Sequence, residues 1–194
     1  MRIVAGRFRG RPIATPTYAP ASPGGLRPTS DRVREAVFNI LAHGMDGFSL
    51  EGARVVDLFA GTGALGLEAL SRGAAYCVFI ETDTEARALI RRNVEAFGLT
   101  GESKIFRRDA TDLGTAGPRD VVALAFLDPP YDQGLADTAL ASLAGGGWLA
   151  PGAVVVIEER AGNVITLPPG LTEADRRSYG DTQVIFARFG RAPA

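Results

Sequence analysis

Histidine, cysteine and lysine are almost absent from this sequence. Its 194 residues include one histidine, one cysteine (Cys77) and one lysine (Lys104). A single cysteine excludes a disulfide scaffold, and with a single histidine it excludes a Cys/His zinc site. We therefore predict chemistry that uses neither a metal nor an imidazole base.

Long apolar runs are also absent. No run approaches the roughly 18 residues that a membrane span needs, and residues 1–20 lack the apolar stretch of a signal peptide. We therefore predict a cytoplasmic protein that has no membrane partner. A compact domain with no obvious apolar surface helix also favours a monomer. The composition, 46% hydrophobic and 22% charged, is typical of a globular protein with a core of its own.

Positive charge is concentrated at the start of the chain. The net charge is −1, yet residues 1–34 carry +6 and the remainder carries −7. A basic arm on an acidic body favours nucleic acid as the partner, whereas a solvated tail is the alternative. The candidate phosphate contacts are Arg7, Arg9, Arg11, Arg27, Arg32 and Arg34. For Arg34, the alternative is an ion pair that closes its helix onto the catalytic rim, and the sequence does not decide between the two.

The chain divides into two regions by pattern. Residues 1–45 predict a basic extension that consists of a β-ribbon, a Pro/Gly-rich loop and a helix beginning after Thr29 or Ser30. Residues 46–194 alternate strands with helices and finish in a hairpin. This alternation predicts an α/β protein, with an open and mostly parallel sheet, helices on both faces and an antiparallel C-terminal strand.

A glycine-rich turn follows the first strand of the second region. Gly61, Gly63 and Gly66 form a G-x-G-x-x-G between a strand and a helix, which is the context for binding a nucleoside-containing cofactor. Glu81, at the end of the next strand, is placed to accept the ribose hydroxyls. Asp57, at the carboxyl end of the strand before the turn, is predicted to face the ligand crevice, where its carboxylate would repel a diphosphate and attract a sulfonium. This favours S-adenosylmethionine over a dinucleotide. The alternative is a tight turn without a ligand.

A second motif, Asp128-Pro129-Pro130-Tyr131, follows the predicted fourth strand. Two prolines stiffen the turn and leave carbonyl oxygens and the Asp128 carboxylate as acceptors. These acceptors suit the two N–H groups of an exocyclic amine on a nucleobase, and Tyr131 offers a ring on which the base can stack. The alternative is an ordinary rigid turn.

The sequence resembles the class I S-adenosylmethionine-dependent methyltransferases, with their Rossmann-like seven-stranded sheet. Within them it is similar to the RsmD-type family, which methylates the exocyclic N2 of a guanine in bacterial 16S ribosomal RNA. The resemblance covers nearly the whole chain and is carried by Arg2-Ile3-Val4-Ala5-Gly6, residues 26–41, the cofactor turn with residues 68–74, and Asp128-Pro129-Pro130-Tyr131. It implies 16S ribosomal RNA within a small-subunit particle as the partner, S-adenosylmethionine as the methyl donor, S-adenosylhomocysteine as the product, and no metal.

The resemblance also implies roles for individual residues. Gly61, Thr62 and Gly63 would contact the methionine part of the cofactor, and Asp109 and Ala110 would lie beside the adenine. A helix N-cap is the alternative for Asp109. The flipped guanine would meet Asp128, Tyr131 and the Pro129 carbonyl, with Pro130 completing the turn. The full predicted cofactor set is Asp57, Phe59, Gly61, Thr62, Gly63, Gly66, Glu81, Thr82, Asp109 and Ala110.

Three other functions fit parts of the sequence. A DNA amine methyltransferase would use the same Asp-Pro-Pro-Tyr turn on adenine or cytosine. An NAD-dependent oxidoreductase would use the glycine turn but leave Asp128, Tyr131 and the basic arm unexplained. A non-catalytic RNA-binding module is the third alternative. A cytosine 5-carbon enzyme is disfavoured because its nucleophilic cysteine follows a proline, whereas Cys77 follows Tyr76.

Overall fold

The computed structural model describes residues 1–16 and 31–190. The predicted alternation of strands and helices is confirmed from residue 54 onward, and a 3₁₀ turn at Thr100–Glu102 precedes the third strand. The helices are α1 (Asp31–His43), α2 (Ala64–Ser71), α3 (Thr84–Ala96) and α4 (Leu135–Gly145). The strands are β1 (Arg54–Leu58), β2 (Tyr76–Ile80), β3 (Ser103–Phe106), β4 (Val122–Leu127), β5 (Leu149–Arg160), β6 (Leu171–Tyr179) and β7 (Thr182–Phe189).

One seven-stranded sheet has the order β3-β2-β1-β4-β5-β7-β6. Strands β1 to β5 are parallel, and β7 pairs antiparallel with both β5 and β6. The mostly parallel sheet and its antiparallel C-terminal hairpin are therefore confirmed. The chain runs outward from β1 to β3 and then crosses to β4, so the strand order reverses between β1 and β4. In sheets of this type the ligand crevice lies at that reversal, beyond the carboxyl ends of the strands.

Hydrophobic side chains cover both faces of the sheet. One face packs against α1, α2 and α3 through residues such as Phe38, Leu67 and Ile90, and the other packs against α4 through Leu140. Strand β4 lies between β1 and β5, which explains its continuous apolar sequence. Trp148 is fully buried on the second face, and its Nε1 donates to the Gly114 carbonyl at 2.9 Å.

The N-terminal ribbon, residues 1–13, contains less regular β-structure than predicted. Its one β-bridge joins Arg2 to Pro12. The other backbone hydrogen bonds between the two arms of the ribbon lie beside that bridge. Gly6 has φ +81°, and a Cβ there would lie 1.9 Å from the Ser71 carbonyl oxygen. Glycine is required because the ribbon packs this closely against the C-terminal end of α2. Most of the predicted loop, with Arg27, Thr29 and Ser30, lies outside the described residues.

A buried carboxylate fastens the ribbon to the sheet domain. Glu68 in α2 is fully buried and accepts the backbone N–H groups of Val4 at 2.8 Å and Ala5 at 2.9 Å. It also accepts Nε of Arg72 at 2.7 Å and lies 3.5 Å from Nε of Arg34. Two backbone donors and two guanidinium groups therefore converge on one carboxylate, which offsets the cost of burying its charge.

Arg34 has a structural role, and its predicted phosphate contact is wrong. The side chain is fully buried, so RNA cannot reach its guanidinium. Nη2 donates to Asp31 Oδ1 at 2.9 Å and to the Arg2 carbonyl, and the Nε atom faces Glu68. The alternative is confirmed in so far as Arg34 forms ion pairs, but its partners are Asp31 and Glu68, so the helix closes onto α2 and not onto the catalytic rim.

Candidate active site

The strand register aligns the functional residues along one edge of the sheet. Leu58 in β1 pairs with Ile80 in β2 and Leu127 in β4, and Leu127 pairs with Ile157 in β5. The residues that follow these four therefore form a row at the carboxyl edge, with neighbours about 4.8 Å apart. In sheet order the row is Glu81, Phe59, Asp128 and Glu158.

The turn from β1 to α2 has a backbone that few sequences allow. Phe59 has φ +57°, Gly61 has φ +55° and Gly63 has φ +79°. A left-handed phenylalanine is strained by about 1–3 kcal/mol, and such strain clusters at functional sites. Helix α2 begins at Gly63 without a side-chain cap, so its first N–H groups are directed at the carboxyl edge of the sheet.

Glu81 braces this turn from the neighbouring strand. Its Oε2 accepts the Gly61 N–H at 2.8 Å, and its Oε1 accepts the Asp83 N–H at 2.8 Å. A carboxylate has about four acceptor positions, so capacity remains for hydroxyl groups of a ligand. Glu81 is half-buried and Thr82 is exposed beside it. The ribose contact stays a prediction that this position supports.

Asp57 does not face the crevice as predicted. It is 2% exposed, lies beneath the turn and accepts the Gly66 N–H at 2.9 Å. Burial raises its pKa from 3.8 to about 8, although the Gly66 bond opposes this and Glu81 adds to it. The side chain is therefore mostly protonated at neutral pH. It stabilises the turn from below and does not attract a cation.

Two other predicted cofactor residues face the protein interior. A Cβ on Gly66 would lie 2.4 Å from Cε1 of Phe79 and 2.6 Å from Sγ of Cys77, so this glycine lets α2 pack on β2. Its predicted cofactor contact is wrong. Thr62 is 8% exposed, and its hydroxyl donates to the sulfur of Met1 at 3.7 Å, so its side chain faces the ribbon.

Asp109 lies three residues beyond the end of β3 in an exposed turn. Its Oδ1 accepts the N–H of Thr111 at 2.8 Å and the Thr111 hydroxyl at 2.7 Å, and these bonds lower the pKa of Asp109. No α-helix follows it before β4, so the N-cap alternative is wrong and the residue forms an Asx-turn instead. Ala110 is buried next to it. Their contact with adenine stays a prediction.

The Asp-Pro-Pro-Tyr turn is held by the ends of β5 and β7. The hydroxyl of Tyr131 donates to Oε1 of Glu158 at 3.0 Å and lies 3.1 Å from Oγ1 of Thr182. Burial raises the pKa of Tyr131, so its hydroxyl remains a donor at neutral pH. Asp132 has φ +62° and forms an ion pair with Arg160 at 3.0 Å. The Tyr131 ring is therefore fixed at the carboxyl edge beside Asp128.

Glu158 was not predicted, although the signal was present. It follows four apolar residues of β5, as Glu81 follows the apolar stretch of β2 and Asp128 follows β4. A charged residue directly after a buried parallel strand lies at the ligand edge of such a sheet. The same rule therefore identifies all three carboxylates.

The described arginines of the basic arm separate into two groups. Arg7 forms an ion pair with Glu102, and Arg11 donates to the Ala96 carbonyl at 2.7 Å, so both fasten the ribbon beside α3. Arg9 and Arg32 are exposed. The phosphate contacts of Arg7, Arg9, Arg11 and Arg32 stay predictions, and that of Arg27 lies outside the described residues.

Neither a metal-binding cluster nor a membrane-spanning helix occurs in the part of the chain that the structure describes. Within residues 1–16 and 31–190, no group of three or more His, Cys, Asp or Glu side chains could hold a metal ion. Over the same part of the chain, no helix is long and apolar enough to cross a membrane.

Comparison with known proteins identifies the family. The model of the family described as conserved hypothetical protein 95 matches residues 1–188. The chain belongs to this family. A relative from Escherichia coli strain K12, named ribosomal RNA small subunit methyltransferase D, is 38% identical over 193 residues, which cover 98% of this chain and 90% of the relative. A relative of the same name from Haemophilus influenzae is 31% identical and covers 93% of this chain and 89% of its own length.

Solved structures agree with the family assignment. The Escherichia coli protein yhhF superposes with a TM-score of 0.81 at 32% identity, covering 97% of each chain. An RNA methyltransferase from Salinibacter ruber, solved with S-adenosyl-L-homocysteine, shares the fold with a TM-score of 0.60 at 17% identity, over 87% of this chain and 97% of that chain. The predicted family and the methyltransferase fold are confirmed.

Proposed function

We propose that this protein transfers a methyl group from S-adenosylmethionine to the exocyclic N2 amine of a guanine in 16S ribosomal RNA. The observation that carries the proposal is the alignment of Asp128 with Phe59 at the carboxyl edge of adjacent strands. A base held by the Asp-Pro-Pro-Tyr turn would then lie beside a cofactor held by the glycine turn. The names of the family relatives support the choice of substrate.

The residues at the turn suit a cationic nucleoside cofactor. Gly61 and Gly63 let the backbone approach a ligand closely, and the positive end of the α2 dipole lies beside them, where it suits a carboxylate. Glu81 has acceptor capacity for two ribose hydroxyls. With Asp57 mostly neutral, the charges nearest a sulfonium come from Glu81, Asp128 and Glu158 at the edge of the sheet. This distribution favours a cation over a diphosphate.

The Asp-Pro-Pro-Tyr turn would prepare the amine for attack. The Asp128 carboxylate and the Pro129 carbonyl would each accept one N–H of guanine N2. With both hydrogens engaged, the pyramidal geometry of the nitrogen would be favoured, in which its lone pair is less delocalised into the ring and can attack the methyl group. Tyr131 would stack on the base, worth about 1–3 kcal/mol. Its hydroxyl bonds to Glu158 and Thr182 would keep the ring in place.

The methyl transfer needs few further groups to balance its protons and charges. S-adenosylmethionine supplies a methyl group already activated by its sulfonium. As the new N–C bond forms and the S–C bond breaks, the sulfur becomes neutral and the amine nitrogen loses one proton to Asp128 or to water. Catalysis is then mainly orientation and exclusion of water, which accounts for a site without histidine or cysteine.

The alternatives differ in measurable products. A DNA amine methyltransferase would give methyladenine or methylcytosine, and an NAD-dependent enzyme would bind the dinucleotide. No relative described above supports either alternative. The test is methyl incorporation into free 16S RNA, assembled small subunits and duplex DNA, followed by nucleoside analysis. We expect N2-methylguanine from the small-subunit substrate, whereas methyladenine alone would refute the guanine assignment.

Asp128 gives a test of mechanism. Asp128→Ala should abolish methyl transfer while S-adenosylmethionine affinity, measured by calorimetry, stays within about twofold of the wild type. A collapse of cofactor affinity would contradict the role given to Asp128. Tight binding of NAD without binding of S-adenosylmethionine would overturn the proposed function itself. The assembled particle as substrate, the monomeric state and the cytoplasmic location are further predictions of the proposal.

A further inference from the structure

The side-chain amide of Asn93 joins the cofactor turn to the N-terminal extension. Asn93 lies in α3 and is 2% exposed. Its Oδ1 accepts the Ala14 N–H at 2.7 Å, and its Nδ2 donates to the Ala14 carbonyl at 3.2 Å and to the Thr62 carbonyl at 3.1 Å. One buried amide therefore holds both polar groups of Ala14 in the extension and one carbonyl of the turn between Gly61 and Gly63.

A second contact joins the same two regions independently. The Thr62 hydroxyl donates to the sulfur of Met1 at 3.7 Å, and the Met1 carbonyl accepts the Ile13 N–H at 3.2 Å. Both ends of the ribbon are therefore tied to Thr62, one through Met1 and the other through Ala14 and Asn93. Thr62 lies between two glycines with positive φ, so the orientation of its peptide group is part of the conformation of the whole turn.

We propose that Asn93 is a positioning residue that couples occupancy of the cofactor turn to the seating of the ribbon, so that cofactor and RNA bind with positive cooperativity. The inference rests on the proposed function for the identity of the two ligands. A ligand against Gly61 and Gly63 restricts the Thr62 peptide, the fixed carbonyl restricts the Asn93 amide, and the amide restricts Ala14. The first ligand to bind orders these residues, so the second ligand binds with a smaller loss of conformational entropy. The coupling is reciprocal, because each ligand raises the affinity for the other by the same factor.

The first test needs no RNA. Hydrogen exchange of the full-length protein is measured with and without saturating S-adenosylhomocysteine, on peptides that contain Ala14. In the wild type the ligand should slow exchange at the Ala14 amide, whose acceptor is the Asn93 side chain. In Asn93→Ala that ligand effect should vanish. Asn93→Leu keeps nearly the same side-chain volume but can neither accept nor donate a hydrogen bond, so it should lose the effect without leaving a large cavity.

Ser71 supplies the matched control. Its hydroxyl donates to the Ala5 carbonyl at 2.6 Å and accepts the Phe8 N–H at 3.0 Å, so it anchors the ribbon at the far end of α2. Ser71→Ala should loosen that end, yet the effect of S-adenosylhomocysteine on Ala14 should persist. A merely structural role for Asn93 would give the two alanine variants the same behaviour.

The second test measures cooperativity. The dissociation constant for small ribosomal subunits is determined by sedimentation with and without S-adenosylhomocysteine. The wild-type ratio should be about tenfold, within the usual range of allosteric coupling, and should fall below about twofold in either Asn93 variant. Unchanged ratios, or wild-type Ala14 exchange that ignores a bound ligand, would overturn the inference alone. Failure of the wild type to bind S-adenosylhomocysteine would instead overturn the proposed function.

Discussion

Replacing Glu68 by glutamine tests how the N-terminal extension is held on the sheet domain. The carboxylate accepts the Val4 and Ala5 N–H groups and the Arg72 guanidinium, and it faces Arg34. The side chains of Glu68 and Arg34 are fully buried. Glutamine has nearly the same shape, so no cavity forms. It has one acceptor oxygen, however, and its NH₂ group must face at least one of the existing donors.

The expected loss is large because charge and acceptors disappear together. Removing one partner of a buried ion pair costs about 3–5 kcal/mol, and this range includes an unsatisfied backbone donor at about 1–3 kcal/mol. Arg34 retains Asp31, which favours the lower half of that range. For a domain of this size, 1 kcal/mol shifts Tm by about 2–4 °C, so a loss of about 3–4 kcal/mol should lower Tm by roughly 6–16 °C. Differential scanning calorimetry and urea unfolding measure both quantities.

The same substitution on the surface gives the control. Glu173 pairs with Arg176 at 2.7 Å, and both side chains are 40% exposed. Solvent screens such a pair, so Glu173→Gln should cost only about 0–1 kcal/mol. Equal losses in the two variants would refute the reasoning, because burial of the Glu68 cluster would then contribute nothing. A stable Glu68→Gln protein with a ribbon that exchanges hydrogen no faster would refute it as well.

Three other predictions follow from single sites. Gly66→Ala should destabilise the fold by about 1–3 kcal/mol in urea, because the added methyl group overlaps the Phe79 ring. Asp57 has a pKa of about 8 in the folded protein against 3.8 ordinarily, so folding holds a proton there and wild-type stability should fall as pH rises from about 4 to 8; Asp57→Asn should lack this component. Arg9→Gln and Arg32→Gln should each reduce the slope of log affinity for 16S RNA against log salt by about 0.7–0.9.

Each of these has its own control. Gly145→Ala adds a methyl group to a helix where no atom lies within 4 Å, so it should be neutral or stabilising by up to about 1 kcal/mol. Parallel pH profiles of wild type and Asp57→Asn between pH 5 and pH 8 would contradict the raised pKa. Arg177→Gln, on the edge strand β6, should leave the salt slope unchanged; a drop equal to that of Arg9→Gln would mean that the arm contributes nothing specific.

The sequence predicts the edge of the site better than its interior. Glu81 and Asp128 were identified because each follows a short apolar strand, and parallel strands bring their carboxyl ends together. Asp57 was misplaced because the turn after β1 closes over it and directs the Gly66 N–H at its carboxylate. Arg34 was misplaced because its burial depends on α2, which comes from a distant part of the chain. Nothing in the local sequence shows that Glu68, 34 residues after Arg34, faces its guanidinium.

Asn93 was missed for a different reason, since its position carried a signal. Helix α3 buries Ala86, Ile90 and Val94, which are spaced by four residues, and Asn93 is buried beside them. A polar residue on the apolar stripe of a helix must satisfy its hydrogen bonds inside the protein. The stripe therefore marks Asn93 as a buried contact, although only the fold shows that its partners are Ala14 and Thr62.

The boundary predicted between residues 45 and 46 divides the sequence, yet the ribbon before it packs directly on the domain after it. Helix α2 carries the ribbon along its length, with Thr62 meeting Met1 just before the helix begins, Glu68 holding Val4 and Ala5, and Ser71 holding Phe8 at the end. An eight-residue helix is about 12 Å long and rigid on this scale. Because α2 also begins at the cofactor turn, the distance from that turn to the ribbon is fixed by one element. The charge asymmetry of the chain is thus built into a single body, in which a basic ribbon is held at a set distance from the acidic edge of the sheet.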